Sequence, residues 1–122
     1  MQRMTAVLLL FLFACAPART VRINGQDVPY EEAARAEFNV AKASYDQGRY
    51  DAAAQQFGAF AQRYRDSELL DEAVFRRGQS LSKAGKLQEA QAALQEFLDQ
   101  RPSSPFRKIF SELLQAAWLA ST

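Results

Sequence analysis

The chain alternates between helix-length stretches, in which apolar residues recur every three or four positions, and short polar breaks. From Tyr30 to Gln47 the apolar residues fall on one face of a helix. Gly48 interrupts this stretch and suits the left-handed position after a helix, and a second amphipathic stretch runs from about Asp51 to Tyr64. The same design recurs once more, with Gly85 as the break. The pattern therefore predicts two pairs of helices.

A fifth helix is predicted over residues 104–120. Ser104 is a candidate N-cap and Pro105 suits the first helical position, as Ser67 is a candidate N-cap for the third helix. Because the apolar stripe stays in phase as far as Trp118, we expect this helix to cap the helices before it, with Trp118 in the core. The stripe consists of Phe106, Ile109, Phe110, Leu113, Leu114, Ala117 and Trp118.

The two helix pairs are related by a constant offset of 37 residues, which joins Gly48 to Gly85 and Phe60 to Phe97. Self-similarity at a period of roughly 20–50 residues indicates a repeat architecture, in which each unit covers the apolar face of its neighbour. We therefore predict an all-α solenoid over residues 30–122. Its units lie at about 30–66 and 67–103, and the capping helix lies at about 104–120.

The unit resembles the tetratricopeptide repeat. That repeat has a small residue inside its first helix, a glycine at the turn, an aromatic residue or leucine soon after, and alanine and large apolar residues in its second helix. The second unit also has the terminal proline, at Pro102, whereas the first has Arg65 and Asp66 there. The matching residues are Ala41, Gly48, Tyr50, Ala53, Phe57 and Phe60, then Gly78, Gly85, Leu87, Ala90, Leu94 and Phe97.

The chain begins with an apolar run that is too short to span a membrane. The run from Ala6 to Ala14 follows Arg3, whereas a transmembrane helix needs about 20 apolar residues. A run of this length is typical of a secretory signal. The tetrapeptide Leu12-Phe13-Ala14-Cys15 at its end resembles the lipobox of bacterial lipoproteins, although Phe13 is bulkier than the usual residue.

This resemblance implies that residues 1–14 are a lipoprotein signal peptide and that Cys15, the single cysteine, carries the lipid. Several acyl chains on one terminus give stable anchoring. Ala16 follows in place of the aspartate that usually retains a lipoprotein in the inner membrane. The resemblance thus implies the outer membrane, with the domain facing the periplasm. The alternative is that Cys15 is only a small apolar residue in an ordinary cleaved signal or an uncleaved anchor.

Residues 15–29 connect the proposed lipid to the first helix. Asn24-Gly25 lies between two short alternating segments, which is a strong signal for a β-hairpin. Two strands alone are marginal in water, so a hairpin here has to pack on the first helix. The alternative, which we favour slightly from sequence, is a flexible tether with one turn.

Composition argues against nucleic-acid binding, metal binding and catalysis. The net charge of +1 does not suit nucleic-acid binding, and the absence of histidine leaves little for a metal site or a nucleophile with its base. No phosphate-binding loop or serine elbow is present, so we expect neither a cofactor nor an enzyme. A basic cluster of Arg63, Arg65, Arg76 and Arg77 is interspersed with carboxylates and is interpreted as a solvated face.

The resemblance places the partner-binding groove on the first helix of each pair. Phe38 and Phe75 occupy equivalent positions, so two rings would lie side by side as anchors; the alternative is that both are buried between helices. The candidate groove residues are Arg35, Phe38, Lys42, Tyr45, Phe75, Gln79 and Lys83.

The 37-residue period and the phrase from Phe60 to Ser67 resemble tetratricopeptide lipoproteins of the bacterial envelope. Examples are the lipoprotein of the outer-membrane barrel-assembly machinery and the coordinator of the Tol-Pal system; longer activators of penicillin-binding proteins are a third relative. The resemblance implies a non-enzymatic scaffold that binds protein partners in the periplasm or outer membrane. The alternatives are a structural or self-associating subunit without a peptide ligand, possible as a homo-oligomer, and a regulatory activator of a cell-wall enzyme.

Overall fold

The computed structural model describes residues 18–120. The predicted signal peptide and the lipidation of Cys15 lie outside these residues. Within them, the all-α solenoid is confirmed: five helices follow a short hairpin, and each helix packs on the next. No helix of this part of the chain has the length and apolar character needed to cross a membrane. The elements are β1 (Thr20–Ile23), β2 (Gln26–Pro29), α1 (Tyr30–Asp46), α2 (Tyr50–Arg63), α3 (Leu70–Lys83), α4 (Leu87–Gln100) and α5 (Arg107–Ala120).

Both helix pairs turn at a glycine in the left-handed conformation. Gly48 has φ 77° and Gly85 has φ 80°. After α1, the Gly48 N–H donates to the Tyr45 carbonyl and the Arg49 N–H donates to the Ser44 carbonyl, both at 2.9 Å. These two bonds are the Schellman arrangement, which satisfies carbonyl groups left over at a helix end. The bonds after α3 repeat it, so the predicted glycine breaks are confirmed.

Small residues let the two helices of each unit approach closely. In the first unit Ala33, Ala34, Ala41 and Ala53 are all buried, and large rings from α2 fill the remaining space. In the second unit Gly78 of α3 faces α4 so closely that a Cβ atom there would lie 2.5 Å from Cδ2 of Leu94. The small positions of the repeat pattern are therefore the points of closest helix contact.

Helix α5 caps the second unit along one flank. The ring of Phe110 is fully buried and stacks on Phe97 with centroids 3.9 Å apart. The opposite flank is polar: Lys108, Glu112 and Gln115 are exposed at the positions that Asp71, Phe75 and Gly78 hold in the second unit. These polar side chains reduce the apolar surface that this flank offers to a following helix.

The prediction that Trp118 belongs to the core is wrong. Its side chain is 59% exposed and lines a shallow groove between α4 and α5, beside Leu114. Leu81, its equivalent one unit earlier, clusters with Ala90 and Ala93 of the following helix. Within residues 18–120 no helix follows α5 to provide this cover. The exposed Ile109, at 46%, departs from the predicted buried stripe as well.

The two loops that enter α3 and α5 share one arrangement. The Ser67 hydroxyl donates to Glu31 at 2.8 Å and the Ser104 hydroxyl donates to Asp71 at 2.7 Å, each bond joining the loop to the preceding unit. Each serine oxygen also accepts the backbone N–H two residues later. Both serines therefore lie in turns ahead of the helices, and the predictions of Ser67 and Ser104 as N-caps and of Pro105 as the first helical residue are wrong.

The segment before α1 forms the hairpin rather than the tether that we favoured from sequence. Strands β1 and β2 pair antiparallel across Asn24 (φ 50°) and Gly25 (φ 82°), a turn whose twist matches that of the strands. Val21 and Val28 pack against the core of the first unit. This contact gives the two strands the support that an isolated hairpin lacks.

Candidate partner-binding surface

The predicted groove residues lie on α1 and α3, and we call the surface that carries them the A-helix face. The structure divides them by accessibility, because some positions are covered by neighbouring helices. Arg35, Lys42 and Lys83 are exposed; Tyr45, Phe75 and Gln79 are half-buried; and Phe38 is buried.

Phe38 is not accessible to a partner. Its ring is 5% exposed and lies edge-on to Phe57 at 5.5 Å and Phe60 at 5.8 Å, measured between centroids. It therefore fills the space between α1 and α2, and its prediction as a groove anchor is wrong. From the other side, the Arg76 guanidinium lies 6.0 Å from the ring centroid. This cross-unit contact, which periodicity alone did not indicate, covers Phe38 at the surface.

Phe75 does not lie beside Phe38 as the equivalence of the two positions suggested. Its ring packs on α5 and on the loop before it, 5.2 Å from Phe110 and 6.3 Å from Phe106. Phe75 belongs to the apolar cluster that joins the second unit to the cap. The pair of adjacent aromatic anchors predicted for the groove is therefore not formed.

Arg35 and Lys42, two exposed charged residues of the A-helix face, form ion pairs. Arg35 bonds Glu68 at 3.2 Å, and Lys42 bonds Asp46 at 3.2 Å. On α3, Arg76 bonds Glu72 at 2.9 Å with both side chains mostly covered. Exposed pairs of this kind hold little energy and can exchange partners easily. The face thus offers both signs of charge to a partner segment.

An aromatic corner lies where the two units meet on this face. The rings of Tyr45 and Tyr50 are edge-on with centroids 5.2 Å apart, and the Lys83 ammonium lies 6.0 Å from the centre of the Tyr50 ring. Half-buried tyrosines offer contact area together with a polar end, as interface residues often do. Tyr45 and Lys83 were predicted for the groove, whereas Tyr50 entered only as a repeat-pattern residue.

Shifted pKa values mark bonds within the first unit and between the two units. Burial raises the pKa of the Tyr64 phenol, and its hydrogen bond of 3.0 Å to Glu37 raises it further. The bond between Arg63 and Glu37 raises the pKa of Arg63, and the bond between Lys86 and Asp51 raises the pKa of Lys86. Each bond joins two neighbouring helices or a helix and the end of another, so these residues serve packing.

Across residues 18–120 no group of three or more histidine, cysteine, aspartate or glutamate side chains is placed to hold a metal ion. The functional features of the described surface are its exposed charges, its tyrosines and its clefts between helices.

Comparison with known proteins identifies the repeat. The family model of the tetratricopeptide repeat matches twice, at residues 35–67 and 72–104, and the two matches are offset by the same 37 residues as the helix pairs. A search of curated proteins and a search of solved structures found no significant match. Repeats of this family form modules for protein–protein interaction and generally have no catalytic activity. The chain belongs to the tetratricopeptide repeat family.

Proposed function

We propose that the chain is a lipid-anchored scaffold which holds a protein partner on its A-helix face, at the periplasmic side of the bacterial outer membrane. One observation carries the proposal: the single cysteine ends a signal-length apolar run ahead of an interaction domain of the tetratricopeptide family. An envelope complex for outer-membrane protein assembly, cell-wall synthesis or division would supply the partner. A regulatory activator of a cell-wall enzyme is a variant of this proposal that differs only in that partner.

The path from Cys15 to the folded domain supports a close attachment to the membrane. Four residue steps separate Cys15 from Arg19, and such a segment spans at most about 14 Å. Arg19 is bound to the first unit: its guanidinium pairs with Asp66 and lies 4.3 Å from the centre of the Tyr30 ring. A lipid on Cys15 would therefore hold the first unit close to the bilayer surface.

The anchor is tested by metabolic labelling with a radioactive fatty acid. We expect the native chain to take up label and to lose residues 1–14, and Cys15→Ser to remain an unlabelled precursor. Arg3→Gln, a change in the same segment that leaves the cysteine, is the control and should still label. A Cys15→Ser variant that labels and matures like the native chain would exclude the lipid anchor.

The partner site is tested by affinity capture from detergent-solubilised envelopes. Lys42 and Lys83 are exposed on the A-helix face, so Lys42→Glu with Lys83→Glu changes its charge at little cost in stability. We expect the double variant to retain less than about a tenth of the captured partner, which corresponds to about 1.4 kcal/mol of binding free energy. The control is Lys108→Glu, an exposed lysine of α5. Equal capture by all three proteins would rule out the A-helix face.

A second candidate function is self-association without a peptide ligand. The outer side of α1 favours it, because Val40 is 58% exposed and Ala36 is exposed where its equivalent, Ala73, is fully buried. A second copy could cover this side. Sedimentation should then show a dimer that Val40→Glu dissociates; a monomer at all concentrations would leave the scaffold as the sole proposal.

A further inference from the structure

The four arginines that cluster in the sequence separate into two groups in the structure. Arg63 pairs with Glu37, and Arg76 pairs with Glu72. Arg65 and Arg77, by contrast, form no ion pair or hydrogen bond with another residue of the described chain, and both line one cavity. The interpretation of the cluster as a solvated face with weak ion pairs therefore fits Arg63 and Arg76, whereas Arg65 is exposed but unpaired and Arg77 is half-buried and unpaired among the described residues.

The cavity lies where α2, α3 and α4 meet, on a different surface from the A-helix face. Its volume is about 530 Å³. Apolar side chains, including the buried Leu70 and Phe97, form one part of its lining. Polar side chains form the rest, and we call the cavity the arginine pocket. Its polar lining consists of Gln62, Arg65, Arg77, Glu96, Gln100 and Arg101.

The charge of the arginine pocket is positive after its internal pairs are counted. Arg101 is neutralised by its ion pair with Asp71. Glu96 accepts a hydrogen bond from Gln100 at 3.1 Å and offsets one of the two remaining arginines. One positive charge is left without a partner in the described chain. A single carboxylate would balance it.

Arg77 is an exception to the repeat. Its equivalents at the offset of 37 residues are Val40 and Leu114, both apolar, and Arg77 is half-buried between helices. Opposite it, Gly58 lies in the middle of α2, where a Cβ atom would come within 3.3 Å of the Arg77 Nε atom. Glycine inside a helix is destabilising relative to alanine. An apolar residue at position 77 and alanine at position 58 would each be more stable. The residues present instead leave room for a guanidinium group that has no anion among the described residues.

We propose that the arginine pocket binds an acidic side chain of a partner protein, with a neighbouring apolar side chain of the same segment resting on Leu70 and Phe97. Guanidinium groups bind carboxylates through two parallel hydrogen bonds, so Arg77 and Arg65 provide the anion site. The apolar lining selects an acidic residue that is flanked by a large apolar one. This pocket extends the interaction surface beyond the A-helix face and does not depend on it.

The pocket favours a peptide carboxylate over a phosphate group of a lipid. A carboxylate and the phosphodiester of a phospholipid each carry one negative charge, so the preference rests on the shape and apolar character of the lining and not on charge. The apolar lining lies within a cleft between helices, which suits a side chain better than a flat bilayer surface. Binding to anionic vesicles is therefore an outcome that the experiment has to distinguish.

The test is a titration of the ¹⁵N-labelled full chain in detergent with a capped tripeptide, acetyl-Leu-Asp-Phe-amide, followed by NMR. The matched probe is acetyl-Leu-Asn-Phe-amide, which has the same shape and no charge. We expect saturable shifts at the backbone amides of Gly58, Arg77 and Phe97 with the aspartate peptide, and at least tenfold weaker binding of the asparagine peptide. Arg77→Leu introduces the residue found at the equivalent position 114. This variant should bind the aspartate peptide at least tenfold more weakly than the native chain.

Two further measurements compare variants with the native chain: the peptide affinity of Arg63→Gln and the melting temperature of Arg77→Leu. Arg63→Gln removes an arginine of the same cluster that is already paired, and it should leave peptide affinity within twofold. Arg77→Leu should melt at or above the temperature of the native chain, since it replaces an unpaired charge with the apolar residue of the repeat. Equal binding of both peptides, no saturable shift, or a lowered melting temperature in Arg77→Leu would overturn the proposal. Arg77-dependent binding to vesicles containing phosphatidylglycerol, without peptide binding, would assign the pocket to lipid instead.

Discussion

Glycines inside the helices of this chain serve different purposes according to what they face. Gly78 faces a branched side chain that is itself fully buried, with Leu94 Cδ2 and Cγ 2.5 Å and 2.8 Å from the position of a Cβ atom. Gly58 faces only the guanidinium end of Arg77, which is flexible. The same substitution should therefore have opposite effects at the two positions.

Gly78→Ala should destabilise the protein, and Gly58→Ala should not. At Gly78 the added methyl group forces α3 and α4 apart, and overpacking of this kind costs about 1–3 kcal/mol, more than the roughly 1 kcal/mol gained in helix propensity. At Gly58 the gain in propensity should prevail, so that stability stays equal or rises by up to about 1 kcal/mol. Urea unfolding of both variants measures the difference. A stabilised Gly78→Ala would show that the helices are not in close contact there.

Tyr64 should make stability depend on pH in the alkaline range. Its pKa is raised in the folded protein, first by burial and then by its bond to Glu37. The stabilisation is therefore complete below the unfolded pKa of about 10 and is lost as pH rises through the higher folded value. Tyr64→Phe should lose about 1–2 kcal/mol at pH 7 with the hydrogen bond to Glu37. It should also show a smaller decline in unfolding free energy above pH 10 in urea titrations. An unchanged alkaline decline would assign it to other groups.

At the scale of the elements, α5 is the last described helix and covers one flank of the second unit. Its Phe110 side packs on α4 and α3, and its other flank is polar because Lys108, Glu112 and Gln115 replace residues that face a following helix in the unit before. A capping helix needs one apolar face that packs on the preceding unit and one polar face that is exposed to solvent. α5 meets this requirement along most of its length, with Trp118 and Leu119 exposed near its end.

Phe110→Ala should cost far more stability than Trp118→Ala. Phe110 is fully buried and stacks on Phe97, so truncation should lower the unfolding free energy by about 3–5 kcal/mol. Trp118 is 59% exposed, and its truncation should cost within about 1 kcal/mol. Thermal melting of the two variants makes the comparison. A larger loss of stability in Trp118→Ala than in Phe110→Ala would show that Trp118 is a core residue.

Removal of residues 104–122 should expose the second unit. Phe97 and Phe75 would lose the rings of Phe106 and Phe110 that now cover them, and a contiguous apolar patch of this kind promotes aggregation. Size-exclusion chromatography with light scattering should show aggregates or an unfolded second unit. The control is removal of residues 119–122 alone, which should stay soluble. If the shorter chain is monomeric and equally stable, α5 is an arm rather than a cap.

The helices and their breaks could be predicted from sequence because they depend on local pattern. Periodic apolar residues define a helix face, and Gly48 and Gly85 end helices for a conformational reason that acts within one turn. Whether a helix face is buried or exposed depends on which other helix packs against it. For this reason the repeat pattern predicted Phe38 in the groove and the apolar stripe predicted Trp118 in the core, whereas Phe38 is buried and Trp118 is exposed. The partners of individual arginines depend on side-chain positions across units and were not predictable from spacing.

At the scale of the whole molecule, the described chain has two distinct surfaces available to partners. The A-helix face carries paired charges and the aromatic corner of Tyr45 and Tyr50, while the arginine pocket opens where α2, α3 and α4 meet. Two units are few for a solenoid, and a partner that engages both surfaces would gain affinity from linkage without a large interface at either. The proposed lipid on Cys15 would concentrate such partners at the membrane.

The most direct test of the scaffold on its membrane is photo-crosslinking inside cells. A photoreactive residue is placed at Lys83 on the A-helix face or at Lys108, an exposed position on α5 outside both proposed surfaces, and the envelope fraction is analysed after illumination. We expect a discrete crosslinked product from position 83, little or none from position 108, and loss of the product from the outer-membrane fraction when Cys15→Ser is added. Equal products from both positions, or a product that is indifferent to Cys15, would contradict it.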